Sequence, residues 1–229
     1  MKISRTPHRW NLSPREAVAV QRQLAARVRP VTSRPTPRYI AGLDVAFSAE
    51  GERSIGGVVL WDRRTRRVVE QHTATRSGLF PYIPGLLSFR EAPVLLAALR
   101  KLLRDPDALL CDGHGLAHPR RFGIACHLGV LTDLPTVGCA KSRLVGDWEA
   151  VGEERCARSP LRHQGELIGS VLRTRTGVKP IFVSVGHRIE LTAAEQLVLD
   201  CGAGYRLPEP TRLADKLVAQ VKREGLLRS

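Results

Sequence analysis

Three strand-like segments joined by short polar turns, followed by helix alternating with strand, constrain this chain more than any other feature. The segments cover residues 39–47 (YIAGLDVAF), 54–61 (SIGGVVLW) and 67–75 (RVVEQHTAT), with turns reading SAEGER and DRRTR. Connections this short favour an antiparallel meander. A loop punctuated by Pro and Gly follows over residues 78–85. Residues 88–103 then predict a helix, 108–111 a buried strand, 122–131 a helix and 135–140 a strand. That alternation implies parallel strands with crossover helices. Residues 166–174 and 179–184 read as a hairpin around Thr176-Gly177. A capping box, Thr192 to Glu195, starts a helix to Leu199, and residues 211–223 predict a last helix. Three antiparallel strands and then parallel strands, flanked by helices, is the order of the ribonuclease H-like α/β fold. Order alone leaves other α/β folds open.

Ser13-Pro14-Arg15-Glu16 opens the first helix with a capping box and a proline at the first helical position. Residues 30–37 carry three prolines and end it as a linker. No internal repeat and no linker between two cores is visible. We expect one domain over residues 1–229: a basic helix and linker to residue 38, an α/β core over 39–200 and a helical segment over 201–229. The chain has 36 Lys+Arg against 22 Asp+Glu, a net +14, and residues 1–38 alone hold nine bases and one acid. A basic flank on a milder body suggests a footprint for nucleic acid. A mutational bias towards Arg would give the same charge. The longest aliphatic run, residues 94–99, is far too short to span a membrane. The N-terminus lacks the apolar stretch of a secretory signal. The five cysteines (111, 126, 139, 156 and 201) are odd in number and widely spaced, which suits free thiols in a reducing compartment. A soluble, cytoplasmic monomer is the expectation.

Two acids stand in apolar places. Asp44 lies inside a strand, and Asp112 ends the run Ala108-Leu-Leu-Cys111. A lone buried carboxylate is costly unless paired, hydrogen-bonded or bound to metal. Asp44 could instead mark a bulge, and Asp112 a cap. Glu91 has capping-box spacing from Ser88, or it could project towards the strand ends. Three such carboxylates would suit Mg²⁺ or Mn²⁺, and two ions about 3.5–4 Å apart can hold both oxygens of a phosphodiester displacement. Cys111, His114 and His118 have zinc-like spacing, but Gly113 and Gly115 disfavour the helix such a site needs and no fourth ligand is evident. His187 follows an apolar strand and could be a base, a metal ligand or a plain loop histidine. Lys141 ends another strand and could bind phosphate or face solvent.

At these residues the chain resembles the endonuclease V family, the deoxyinosine-directed nucleases. GLDVAF around Asp44, FPYIPGLLSFREAP around Glu91 and DGHGLAHPRRFGIACHLGVL from Asp112 carry the resemblance, with GCAKSRL around Lys141 and SVGHRI around His187. The resemblance implies a ribonuclease H-like core and hydrolysis dependent on Mg²⁺, for which Mn²⁺ would substitute. It implies Asp44, Glu91 and Asp112 as metal-binding acids, His187 near the metal and the attacking water, and Lys141 near the scissile phosphate. It further implies a nick at the second phosphodiester 3′ to inosine, leaving 3′-hydroxyl and 5′-phosphate ends. Pro81, Tyr82, Ile83 and Pro84 would form a strand-separating wedge, though PYIP alone reads as a Pro-rich turn with a core-packed Tyr. Backbone near Gly85, Leu87, Gly113 and Ile124 would wall a hypoxanthine pocket, rejecting the 2-amino group of guanine by close approach. His118 and Arg120 are further candidates for substrate contact. Cys139 and Phe47 depart from the family's common Val and Tyr.

Inosine-containing DNA is the expected partner, and RNA stays open because no motif reports a 2′-hydroxyl contact. Another ribonuclease H-like nuclease, or a non-catalytic nucleic-acid-binding protein on the same fold, are the competing readings. The basic flank, with Arg5, Arg9 and Arg15, lies outside the matching segments. It should contribute salt-dependent affinity without positioning the substrate.

Overall fold

A computed structural model describes residues 1–3, 6–30, 37–48 and 51–226. Arg5 and most of the Pro-rich linker lie outside the described residues. In chain order the elements are α1 (Pro14–Ala25), β1 (Tyr39–Phe47), β2 (Arg53–Asp62), β3 (Arg67–Ser77), α2 (Leu87–Leu99), β4 (Ala108–Cys111), α3 (Ile124–Thr132), β5 (Thr136–Ala140), β6 (Arg158–His163), β7 (Glu166–Leu172), β8 (Ile181–His187), α4 (Leu191–Asp200) and α5 (Glu209–Leu226).

All the strands join one sheet in the order β3-β2-β1-β4-β5-β8-β7-β6. β1, β2 and β3 pair antiparallel, as their short turns require. β4 and β5 run parallel to β1, each after a crossover helix. β8, β7 and β6 then return antiparallel. This is the expected mixed sheet flanked by helices, with one further strand, β6.

Each face of the sheet has its own core. Ala41, Leu43, Val58 and Leu60 pack under α2 and α3. Ile40, Trp61, Leu110 and Val137 pack under α4 on the other face. α5 covers β1 and β2 on that second face at very close range. A Cβ on Gly42 would lie 2.0 Å from the Pro210 carbonyl carbon, so only glycine lets the start of α5 sit there. Among the described residues no helix is long and apolar enough to cross a membrane.

Three expectations need correction. α2 begins at Leu87 with Leu86 as its N-cap and no side-chain cap bond; Ser88 lies inside the helix, so Glu91 is not spent on a capping box. α4 begins after Glu190, again without a side-chain cap. Glu195 instead pairs with Arg158 on β6 at 3.2 Å. β6 itself escaped the sequence reading because Arg158–His163 holds a proline and few apolar residues; it is an edge strand, where proline is tolerated. The capping box of α1, by contrast, is present in full.

Candidate active site

Register puts the two aspartates side by side. Leu43 pairs with Cys111 across β1 and β4, and the Asp112 amide donates to the Leu43 carbonyl at 3.2 Å. Asp44 and Asp112 therefore leave adjacent parallel strands at the same level, about 5 Å apart by strand spacing. β5 continues the ladder and ends at Ala140, so Lys141 emerges beside them. Its Nζ lies 2.6 Å from Asp112 Oδ2. α2 brings Glu91 over from the opposite face.

The carboxylates strain one another. Burial, then Asp112, pushes Asp44 up to about 7. Burial, then Asp44 and Asp112, pushes Glu91 up to about 8. No hydrogen-bond donor among the described residues meets the Glu91 carboxyl group. Asp112 is paired with the Lys141 ammonium. A fourth carboxylate, Asp215 on α5, lies 4.0 Å from Lys141 Nζ and adds its field to Asp44. The sequence reading missed Asp215. The signal was faint: it follows Ala214 beside a buried stripe of Thr211, Ala214 and Val218, and it matters only once α5 is known to lie on β1.

Beside the carboxylates opens a cavity of about 410 Å³. Gly85, Leu87, Gly113 and Ile124 all line it, as do Tyr82, Ile83, Pro84, Asp112 and Lys141. Pro81 faces a neighbouring cleft with Trp10 and Leu12. Tyr82 is 73% exposed, which removes the alternative of a core-packed ring. Ile83 packs on Ala17, Phe80 and Phe89.

His187 is placed otherwise. His187 pairs with Thr136 at the start of β5, whereas Lys141 follows that strand's end; strand rise separates the two by roughly 16 Å. The His187 ring is buried, with Nε2 3.3 Å from Asp133 Oδ1 and Nδ1 accepting from the Arg29 amide. It ties the exit of α1 to the end of α3, and the expected role beside the attacking water does not fit that position. His118 lines the cavity, and both it and Arg120 donate to the Gly85 carbonyl. The zinc reading fails too. Cys111 is buried in the core, His114 Nε2 donates to the Ser142 carbonyl, and His118 is held on Gly85.

A family model described as Endonuclease V matches residues 22–216. Endonuclease V of Trichormus variabilis is 50% identical over 214 residues, 93% of this chain and 97% of that protein. The chain belongs to the endonuclease V family. Solved endonuclease V structures are similar throughout. That of Streptomyces avermitilis superposes with a TM-score of 0.89 at 44% identity, covering 95% of this chain and 96% of that one. That of Ciona intestinalis, in complex with a 24mer DNA containing an inosine followed by a ribo-adenosine, superposes with a TM-score of 0.80 at 26% identity, covering 92% and 98%.

The carboxylate oxygens of Asp44, Glu91 and Asp112 are donors of the kind a hard divalent cation takes. Among the described residues no group of three or more acidic, histidine or cysteine side chains is drawn together closely enough to hold a metal ion as it stands. What the structure has is a group of carboxylate oxygen donors, two of them pushed towards protonation by burial and by the neighbouring acids. A divalent cation would relieve that condition.

Proposed function

We propose that this chain is a divalent-metal-dependent endonuclease of DNA repair that nicks inosine-containing DNA at the second phosphodiester 3′ to the lesion. The observation that carries this reading is that Asp112, which acts electrostatically on both Asp44 and Glu91, lines the same base-sized cavity as Gly85, Leu87, Gly113 and Ile124. Those three acids would hold Mg²⁺, or Mn²⁺ in its place. When bound, the metal supplies Lewis-acid stabilisation of the phosphorane charge and a more acidic water.

The protein's own groups do the rest. Tyr82, exposed on a loop stiffened by Pro81 and Pro84, fills the gap left by a flipped base. Gly85, Leu87, Gly113 and Ile124 enclose hypoxanthine closely enough to exclude the 2-amino group of guanine. Lys141 faces the scissile phosphate, its ammonium passing from Asp112 to a phosphate oxygen. Asp215, half exposed beside Lys141, is placed to accept a proton from the attacking water. The water oxygen bonds to phosphorus, the P–O3′ bond breaks, and O3′ takes a proton, giving 3′-hydroxyl and 5′-phosphate ends. The Ciona protein's complex with inosine-containing DNA supports the choice of substrate. RNA stays within reach of a site that reads the base.

The test is cleavage of single- and double-stranded inosine DNA and RNA, with and without Mg²⁺, with the nick mapped to the nucleotide. Asp112→Ala should lower nicking by at least about a hundredfold while retaining much of the binding. An Asp112→Ala protein that nicks at the wild-type rate would sink the site assignment.

A further inference from the structure

The Gly85 carbonyl, in the loop that walls the base cavity, receives donors from three side chains. Gln21 Nε2 reaches it at 2.9 Å, His118 Nε2 at 2.9 Å and Arg120 Nη2 at 2.6 Å. The three are also tied to one another and to the backbone. Arg120 Nε donates to Gln21 Oε1 at 2.6 Å, the Arg120 amide to His118 Nδ1 at 3.1 Å, and Gln21 Nε2 also to the Phe122 carbonyl at 3.1 Å. These partners fix the Gln21 amide orientation and the His118 tautomer. Gly85 has φ +78, and a Cβ there would lie 2.7 Å from Arg120 Nη2. The peptide is thus held in a conformation that favours glycine by a clamp that leaves no room for a side chain.

Gln21 is 1% exposed, although it sits on α1, the basic helix outside the segments that suggest chemistry. Burying an amide is costly unless every group is paired, and here both ends of the amide are. α1 also packs Ala17 against Phe80, Leu86 and Phe89, and its exit is tied to His187 and Arg188. The helix is therefore a fixed rail beside the recognition loop, and Gln21 is its polar link to that loop.

We infer that Gln21 is a positioning residue. With Arg120 and His118 it fixes the Gly85 peptide, and so sets how closely the cavity wall approaches the flipped base. This rests on the proposed inosine specificity. Loosening the wall weakens the fit to hypoxanthine and admits the 2-amino group of guanine. The chemistry at phosphate is left alone.

The experiment compares wild type, Gln21→Leu and Arg120→Lys in steady-state nicking of strands carrying inosine or guanosine at one position. Arg120→Lys keeps the charge but loses the fork that spans Gln21 and Gly85. Each variant should raise KM for the inosine strand about three- to tenfold, the worth of roughly one net hydrogen bond. kcat should stay within about twofold, and the preference for inosine over guanosine should shrink. General destabilisation would lower the active fraction, and so kcat, without moving KM or the preference. Unchanged KM and unchanged preference in either variant that folds would overturn the inference. A wild-type protein that nicks both strands alike would instead overturn the inosine reading itself.

Discussion

A carboxyl group with no donor beside it is comfortable in water and costly inside a protein. Glu91 is in that position, and Asp44 nearly so, each raised by burial and by the other acids. Raised folded-state values have a definite consequence for the metal-free protein. Below the unfolded values, near 4, both groups are protonated in either state and this part of the stability is fully present. As pH rises towards about 7 for Asp44 and about 8 for Glu91, the unfolded chain releases protons that the folded one retains, so stability falls. Thermal melting in chelator should therefore drop between pH 5 and 8, by about 2–4 °C for each kcal/mol lost. Added Mg²⁺ should recover the loss, and more at pH 8 than at pH 6. A melting temperature indifferent to Mg²⁺ at pH 8 would mean that the cluster does not hold the ion. At this scale the site was largely legible, because an acid in an apolar run is an anomaly whatever the fold. Asp44 and Asp112 announced themselves so. Glu91 was ambiguous until α2 proved to start at Leu87, and Asp215 carried no anomaly, being one acid on the flank of an amphipathic helix.

Elements explain why some residues misled. His187 closes β8, an apolar strand, and a histidine at a strand end resembles a site residue. Which end of the sheet it reaches depends on strand direction, and β8 runs antiparallel to β5. That reversal carries His187 away from Asp112 and onto Asp133, beside Arg188 at 2.6 Å from the same carboxylate. Its work is to join α1 to α3. His187→Ala should leave the nick position unchanged and kcat within a few-fold, while stability falls by about 1–3 kcal/mol from the buried partners it abandons. A hundredfold loss of kcat in a folded His187→Ala protein would return this residue to the chemistry. The same dependence on neighbours hid β6, whose turn residues Gln164 and Gly165 both have positive φ (56° and 82°). That is the hairpin turn its two-residue loop demands, but Gln-Gly is a weak signal beside a strand whose alternating buried positions are Ser159 and Leu161, only one of them a large apolar residue.

Across the whole molecule, the ends of the chain converge on its centre. The charge suggested a basic flank that merely adds affinity, and the extent of the family-like motifs suggested a catalytic core complete by residue 200. In the fold, α5 brings Asp215 to the carboxylates and α1 brings Gln21 to the recognition loop. The segment before α1 is docked as well. His8 Nε2 meets His127 Nε2 at 2.9 Å, and Trp10 lies against the Phe89 and His127 rings at 6.3 and 5.3 Å. The terminal ammonium donates to the Leu102 carbonyl. None of this was visible in residues 1–12, because polar and aromatic contacts between positions so distant in the chain leave no periodicity. Two effects of removing residues 1–12 can then be separated. Loss of Lys2, Arg5 and Arg9 should weaken substrate binding in a salt-dependent way. Uncovering Phe89 and His127 should cost about 2–5 kcal/mol, lowering the melting temperature by several degrees or more at any salt concentration. The nick should stay where it is, since α1, its Ser13 cap and Gln21 all survive the truncation. A truncated protein that melts like the full chain would show the docking to be energetically idle, and a displaced nick would show that the segment guides the strand.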